Sequence, residues 1–184
     1  MKHIIVNIRG NSGSGKTTLA RAFWALAIGG PEVYSDEPDQ LFHYAGQSWA
    51  LLGKYATACG GCDSIPTQAE IVRRVEYYTR NKMNVFLEGL LMSGMYGTVG
   101  KYSEQFGDRW IFAFLDTPLK QCLKHIRMRR KAAGNTKPLN ETNTRTRHVT
   151  IVRTQERIAA MGRRVVTLHW DKDPLKQLLK EIAK

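Results

Sequence analysis

Cysteine is nearly absent from this chain: three in 184 residues, an odd number that excludes a disulfide framework as the source of stability. Long apolar runs are absent too. Nothing approaches the ~18 residues that a membrane-spanning helix needs. The first apolar stretch, Ile4-Ile5-Val6, is cut by Asn7 and Arg9 before it could serve as a secretory signal. From these absences we expect a soluble protein of the reducing cytoplasm with no membrane partner. Acidic side chains are also scarce: 16 Asp and Glu against 28 Lys and Arg leave a formal net charge of +12. Such a chain attracts polyanions before any specific contact forms, although plain solubility would also account for a basic surface. Hydrophobic residues, at 42%, and charged residues, at 24%, sit near globular averages and exclude disorder of the whole. The length suits one domain, residues 1–184, with its own core. No internal repeat or linker divides it.

The basic excess is concentrated. Between Lys120 and Arg147 lie nine basic residues and one acid, Glu141. Hydrophobic periodicity predicts strands at 3–8, 32–36, 84–88, 109–116 and 164–169. It predicts helices at 16–28, 39–55, 66–81, 93–106, 147–161 and 174–182, and one from Thr117-Pro118 through the basic cluster to Gly134-Asn135. The polar stretch 134–147 reads as a loop, and about 127–147 as a basic lid. Strands alternating with helices imply an α/β fold with a parallel sheet.

Gly10-Asn11-Ser12-Gly13-Ser14-Gly15-Lys16-Thr17 matches the phosphate-binding pattern G-x-x-x-x-G-K-[ST] in full, with a predicted strand before it and a predicted helix after. The chemistry follows from the residue types. Glycines let successive backbone N–H groups turn inward into an anion nest at a helix N-terminus. Lys16 is placed to reach the β- and γ-phosphates of ATP, and the Thr17 hydroxyl to meet Mg²⁺. Thr18 closes the set of nucleotide-binding candidates. A dinucleotide fold is excluded, because Gly13-Ser-Gly15-Lys-Thr-Thr18 lacks the third glycine of G-x-G-x-x-G.

In this motif and in its order of elements the chain resembles the P-loop kinases, the branch that includes nucleoside monophosphate, shikimate and polynucleotide kinases. The resemblance implies a three-layer fold on a five-stranded parallel sheet. It also implies ATP as donor and a mobile lid that supplies arginines.

Several side chains are candidates for the chemistry. Asp36 ends the predicted second strand, where the strand C-termini of an open α/β sheet face the ligand. It could take the proton of an acceptor hydroxyl, as the matching aspartate does in polynucleotide-kinase-like enzymes, or cap the next helix. Asp39 is a weaker candidate on the same loop. Glu88, ending Val85-Phe86-Leu87, resembles the second acidic motif of the superfamily, for Mg²⁺ or for the acceptor. A structural pair with an arginine is the alternative. Arg127, Arg129 and Arg130 match the family's lid position, and Arg127 and Arg130 share a helix face. They would neutralise charge on the transferring phosphoryl group, unless they form only a solvated face. Arg145 and Arg147 could meet a polyanionic acceptor. Cys59-x-x-Cys62 lacks the further ligands that zinc would want. Gly60-Gly61 suggests a tight loop near substrate, with Asp63 as an acceptor contact, or a bland turn. Trp49, Tyr44 and Tyr55 could stack on a base or pack in the core. His43, His125, His148 and His169 show no ligand spacing and receive no role.

Two function classes fit a phosphate nest: a kinase, and a nucleic-acid-stimulated ATPase. The second normally needs more chain, so the kinase is favoured. Among acceptors the charge favours nucleic acid, here DNA, because long polyanions reward many cationic contacts. Gly53-Lys54-Tyr55, Cys59-Gly-Gly-Cys62-Asp63 and Phe86-Leu-Glu-Gly-Leu-Leu91 also resemble phage-encoded kinases of DNA base hypermodification. That resemblance implies transfer to the hydroxymethyl group of a 5-hydroxymethyl-pyrimidine in DNA. A free nucleotide or nucleoside, and a polynucleotide 5′-hydroxyl, remain as alternative acceptors.

Overall fold

A computed structural model describes residues 3–27, 39–56 and 60–184 of the chain. In order, the elements are β1 (Ile5–Arg9), α1 (Lys16–Trp24), β2 (Gln40–Tyr44), β3 (Gln47–Leu51), α2 (Gln68–Arg80), β4 (Asn84–Glu88), α3 (Leu90–Ser93), α4 (Thr98–Tyr102), β5 (Trp110–Leu115), α5 (Leu119–Ala132), α6 (Glu141–Ala160), β6 (Val165–Leu168) and α7 (Pro174–Ile182). Short 3-10 turns lie at Cys62–Ser64 and Ser103–Arg109.

One sheet runs β2-β3-β4-β1-β5-β6. The last five of these are mutually parallel, and β2 pairs antiparallel with β3 at the edge. Four of the five expected strands are therefore present as β1, β4, β5 and β6; the fifth parallel strand, β3, and the antiparallel β2 come from a segment expected to be helical. Strands β1, β4 and β5 are buried along their whole length, because helices cover both faces and leave no solvated side. On one face Val6, Ile8, Phe86 and Ile111 pack with Leu19 and Phe23 of α1 and Leu178 of α7. On the other, Ile5, Val85, Leu87 and Phe112 pack with Ile71 and Val75 of α2 and Ile158 of α6. The period of two along each strand sorts its side chains between these two cores.

Three local expectations need correction. Residues 39–55 are a hairpin, not a helix. Ala45 and Gly46 both have positive φ, 51° and 72°, the condition for a two-residue turn whose twist matches its strands. Trp49 and Tyr55 are buried and so lie in the core rather than on a base-stacking surface. Trp49 and Tyr44 pack edge-on against Phe23. Secondly, α6 begins at Glu141, so only residues 133–140 link α5 to α6. Asn140 caps α6 by accepting from the Asn143 N–H, and its polar residues are a solvated helix face. Finally, the glycine-dotted stretch 93–106 breaks at Gly94 and Gly97 into α3, α4 and the following 3-10 turn. The strand expected at 32–36 lies outside the described residues.

Asp39 is fully buried and accepts hydrogen bonds from Arg74 (2.9 Å), Tyr78 (3.0 Å) and the Gly53 N–H (2.6 Å). It fastens the hairpin to α2 and is a structural carboxylate, not a general base. At the end of β1, Arg9 is also buried. It lies over the Phe112 ring and donates to Asn7 Oδ1 and to the Met95 carbonyl.

Candidate active site

The loop between β1 and α1 is braced from three sides. Thr117 donates to the Ser14 carbonyl at 2.8 Å, Asn11 Nδ2 to the Thr144 carbonyl at 3.0 Å, and the His125 ring meets the Gly13 carbonyl at 2.8 Å. A carbonyl only accepts, so His125 holds its proton on Nδ1 in that contact. The other ring nitrogen lies 2.8 Å from Gln121 Nε2. Gly13 has φ +75°, and a Cβ there would stand 2.5 Å from the Cys122 carbonyl oxygen of α5. Loop and helix are in backbone contact, which only glycine permits.

Lys16 is 7% exposed and donates from Nζ to the carbonyls of Gly10 and Asn11, both at 3.0 Å. Burial lowers its pKa, and the carboxylates Glu88 and Asp63 act in the opposite sense. Thr17 Oγ1 donates to Glu88 Oε1 at 2.9 Å. Glu88 is 1% exposed, and desolvation pushes its pKa up to about 7 against the pull of Lys16 and Thr17. Gly61, at φ +71°, lets the 60–63 turn close over Glu88; a Cβ there would lie 2.7 Å from Oε1. Gly61 thus serves the approach of backbone to a carboxylate, whereas Gly60 packs on the Lys54 carbonyl, which a Cβ there would strike.

These residues frame a cavity of about 760 Å³. Ser12, Gly13, Ser14, Gly15, Lys16, Thr17 and Thr18 line it. Gly10 and Asn11 are buried beneath, where they hold Lys16 and α6. At one end stand Gly60, Asp63, Glu88 and Leu90; at the other, Arg129, Trp170 and Pro174. Asp63 accepts the N–H groups of Leu90 (2.8 Å) and Leu91 (3.2 Å), so its carboxylate anchors α3 as well as facing the cavity.

The basic cluster divides between two surfaces. Arg129 lines the cavity, one helical turn from His125. Arg127 pairs with Glu141, which Arg145 also meets at 3.1 Å. Arg130 holds Asn135 and the Lys137 carbonyl. Arg127 and Arg130 line a separate hollow of about 510 Å³ with Lys131 and Lys137. The structure does not bring these two to the nest, because Arg127 turns to Glu141 and Arg130 to the residues that follow α5. Arg145 and Arg147 are exposed on the first two turns of α6. Asp36 and Cys59 lie outside the described residues. Among the described residues no three of His, Cys, Asp and Glu gather as a metal cluster, and Cys62 is a buried thiol.

Sequence reasoning passes over His125 and Trp170. The signal for His125 is its spacing of four from Arg129 on one helix face. Trp170 follows β6, and Asp116, just after β5, fixes it: one Asp116 oxygen accepts the Trp170 N–H at 2.9 Å and the other meets His169 Nδ1 at 2.6 Å.

Glu88 carries a pH prediction. Its folded pKa is above the ordinary value of 4.5, so its contribution to stability is complete below about pH 4.5 and is lost as pH rises through about 7. In ligand-free protein, denaturant titrations across that window should show wild type losing about 3 kcal/mol relative to Glu88→Gln. A constant difference between the two proteins would mean that Glu88 is not desolvated.

Comparison with known proteins gives a consistent result. The chain is 35% identical over 180 residues to a 5-hmdU DNA kinase of Pseudomonas phage M6, covering 93% of this chain and 92% of that protein. It is 34% identical over 189 residues to a 5-hmdU DNA kinase of Pseudomonas phage PaMx11, covering 97% and 98%. Among solved structures, a gluconokinase from Sinorhizobium meliloti 1021 superposes with a TM-score of 0.55 at 16% identity, covering 99% of this chain and 92% of that one. No family model matches the chain.

Proposed function

Because this chain belongs to the 5-hmdU DNA kinases, we propose that it moves the γ-phosphate of ATP onto the 5-hydroxymethyl oxygen of deoxyuridine within DNA. The observation that carries this reading is the buried nest, with Lys16 on its floor and the Thr17–Glu88 pair at its acceptor end. In the reaction the hydroxymethyl oxygen forms a bond to the γ-phosphorus, the bond to the β-phosphate bridging oxygen breaks, and ADP leaves. We assign the departing hydroxyl proton to Asp36, on its position in the sequence. Lys16 and the loop N–H groups stabilise the charge on the phosphoryl oxygens. Of the arginines, Arg129 takes the phosphoryl-side role expected of Arg127 and Arg130, because it lines the cavity. Trp170 and Pro174 offer the nucleotide base an apolar wall.

The Thr17 hydroxyl and the Glu88 carboxylate are hard oxygen donors 2.9 Å apart, a set that fits Mg²⁺. Glu88 is nearly inaccessible and carries a raised pKa, so a cation would relieve its burial. When bound there, the ion neutralises charge on the phosphates. Among the described residues no helix is long and apolar enough to cross a membrane. With phage relatives and the buried free thiols Cys62 and Cys122, we place the reaction in the host cytoplasm.

Arg145, Arg147 and Lys137 are exposed, and none of them lines the cavity. We assign them to the backbone of a long acceptor, where they position DNA without entering the chemistry. The test is the acceptor KM as a function of salt. Neutralising all three should flatten the log–log slope by roughly one unit for each DNA phosphate that no longer meets a cation, with turnover at saturating DNA little changed. An acceptor KM that ignores salt in wild type would instead indicate a free nucleoside or nucleotide as substrate.

A further inference from the structure

Leu91 is 62% exposed and Met95 is 41% exposed, in and just after α3, which starts beside the Glu88 end of the cavity. Leu90, next to Leu91, lines the cavity itself. Exposed apolar tips are commonly mobile, but this one is mounted rigidly. Asp63 accepts both the Leu90 and the Leu91 N–H. The Thr154 hydroxyl of α6 donates to the Gly94 carbonyl at 3.2 Å, and the buried Arg9 guanidinium donates to the Met95 carbonyl at 2.7 Å. Gly94 lies against Thr150 and Ile151 of α6. Arg147, three and four residues earlier, stands on that same face of α6 one turn nearer its start, and is exposed. A stiffly held apolar segment therefore packs on α6 one turn from an exposed cation, next to the cavity that Leu90 lines.

The acceptor imposes a geometric demand. A 5-hydroxymethyl group projects from the base edge into the major groove, which is about 12 Å wide and about 8.5 Å deep. That groove admits one helix or a two-stranded ribbon. Six strands at about 4.8 Å spacing make an edge about 24 Å wide before any helix is added. The nest lies within that edge, with Lys16 and Glu88 almost fully enclosed. A stacked base cannot bring its hydroxymethyl oxygen to them, whereas a nucleotide rotated out of the duplex can.

We propose that Leu91, backed by Met95, is a wedge that enters the base stack of duplex DNA and fills the gap left when hydroxymethyl-deoxyuridine rotates into the cavity, while Arg147 holds the adjacent phosphate. The wedge rests on the DNA kinase reading of the same site. Apolar side chains inserted at a base step offset the cost of unstacking, and an Arg beside them supplies the anion contact that sets their depth.

The test compares one oligonucleotide carrying hydroxymethyl-deoxyuridine as a single strand and as a fully paired duplex, with 2-aminopurine next to the target to report unstacking. Wild type should phosphorylate both, and binding to the duplex should raise 2-aminopurine fluorescence. Leu91→Ala should lose about tenfold or more in kcat/KM on the duplex, where the unstacking cost is no longer offset. On the single strand, which needs no unstacking, it should stay within about twofold. Single-strand turnover also reports that the variant folds. Leu91→Met should restore the duplex rate and the fluorescence rise. Equal losses on the two acceptors, no loss on the duplex, or wild type confined to single strands would each overturn the wedge and leave the kinase reading standing. Wild type inactive on both would instead overturn the kinase reading, and the wedge with it.

Discussion

Lys16→Ala should fold normally and transfer phosphate about 10²- to 10³-fold more slowly, the range for removing one preorganised donor from a developing oxyanion. Two opposing effects keep the fold intact. The substitution deprives the Gly10 and Asn11 carbonyls of a donor, at about 1–3 kcal/mol for each group left unsatisfied. It also removes an ammonium that burial disfavours, as the lowered pKa of Lys16 records. Thermal unfolding should therefore shift little while kcat falls steeply. Lys16→Met, which retains volume without charge, should behave the same way. A folded variant with near-normal kcat would remove Lys16 from the phosphoryl-transfer step.

Gly13→Ala should be comparably damaging through geometry alone. A non-glycine residue at φ +75° costs about 1–2 kcal/mol in left-handed strain. The added Cβ would stand 2.5 Å from the Cys122 carbonyl oxygen and 3.0 Å from Ile126. Both belong to α5, whose His125 holds the Gly13 carbonyl and whose Arg129 lines the cavity. Relief requires the loop to swing away from α5, which turns its N–H groups off the phosphates. We expect ATP affinity and kcat to fall together, by about 10² or more in kcat/KM, since several oriented donors move at once. Gly134→Ala, at a loop glycine with φ +65° but open space around it, carries the same backbone strain without the clash, so as the control it should lose a little stability and leave kcat/KM unchanged. Unaltered ATP binding in folded Gly13→Ala would show that the loop tolerates displacement from α5.

The phosphate loop is legible in the sequence because its chemistry is local: glycines, Lys16 and Thr17 must stand at fixed spacing, and β1 and α1 flank them as expected. Glu88 is legible for a related reason, since the C-terminal ends of parallel strands gather at one edge. The 39–55 segment reads wrongly as a helix because Leu41, Tyr44, Trp49 and Leu52 satisfy a helical period while Phe42, Tyr44, Trp49 and Leu51 satisfy a strand pattern. The turn that decides between them is Ala45-Gly46 rather than a more recognisable Asn-Gly. The division of the arginines is not legible at all. Which face of α5 meets the nest depends on the approach of the Cys122 carbonyl to Gly13; the glycine marks that backbone comes close there, but not which turn of α5 supplies it. The same contact selects Arg129 over Arg127 and Arg130. The rigid mounting of Leu91 is equally hidden, because it joins Asp63, Arg9 and Thr154 from three distant parts of the chain.

Transfer of labelled γ-phosphate from ATP tests the central claim most directly, using two duplexes identical except for hydroxymethyl-deoxyuridine or thymidine at one position. The wild-type protein should place label on the first duplex alone, and enzymatic digestion should release it as the phosphorylated hydroxymethyl nucleoside. Equal label on both duplexes, label confined to 5′ ends, or label released only as inorganic phosphate would contradict the account.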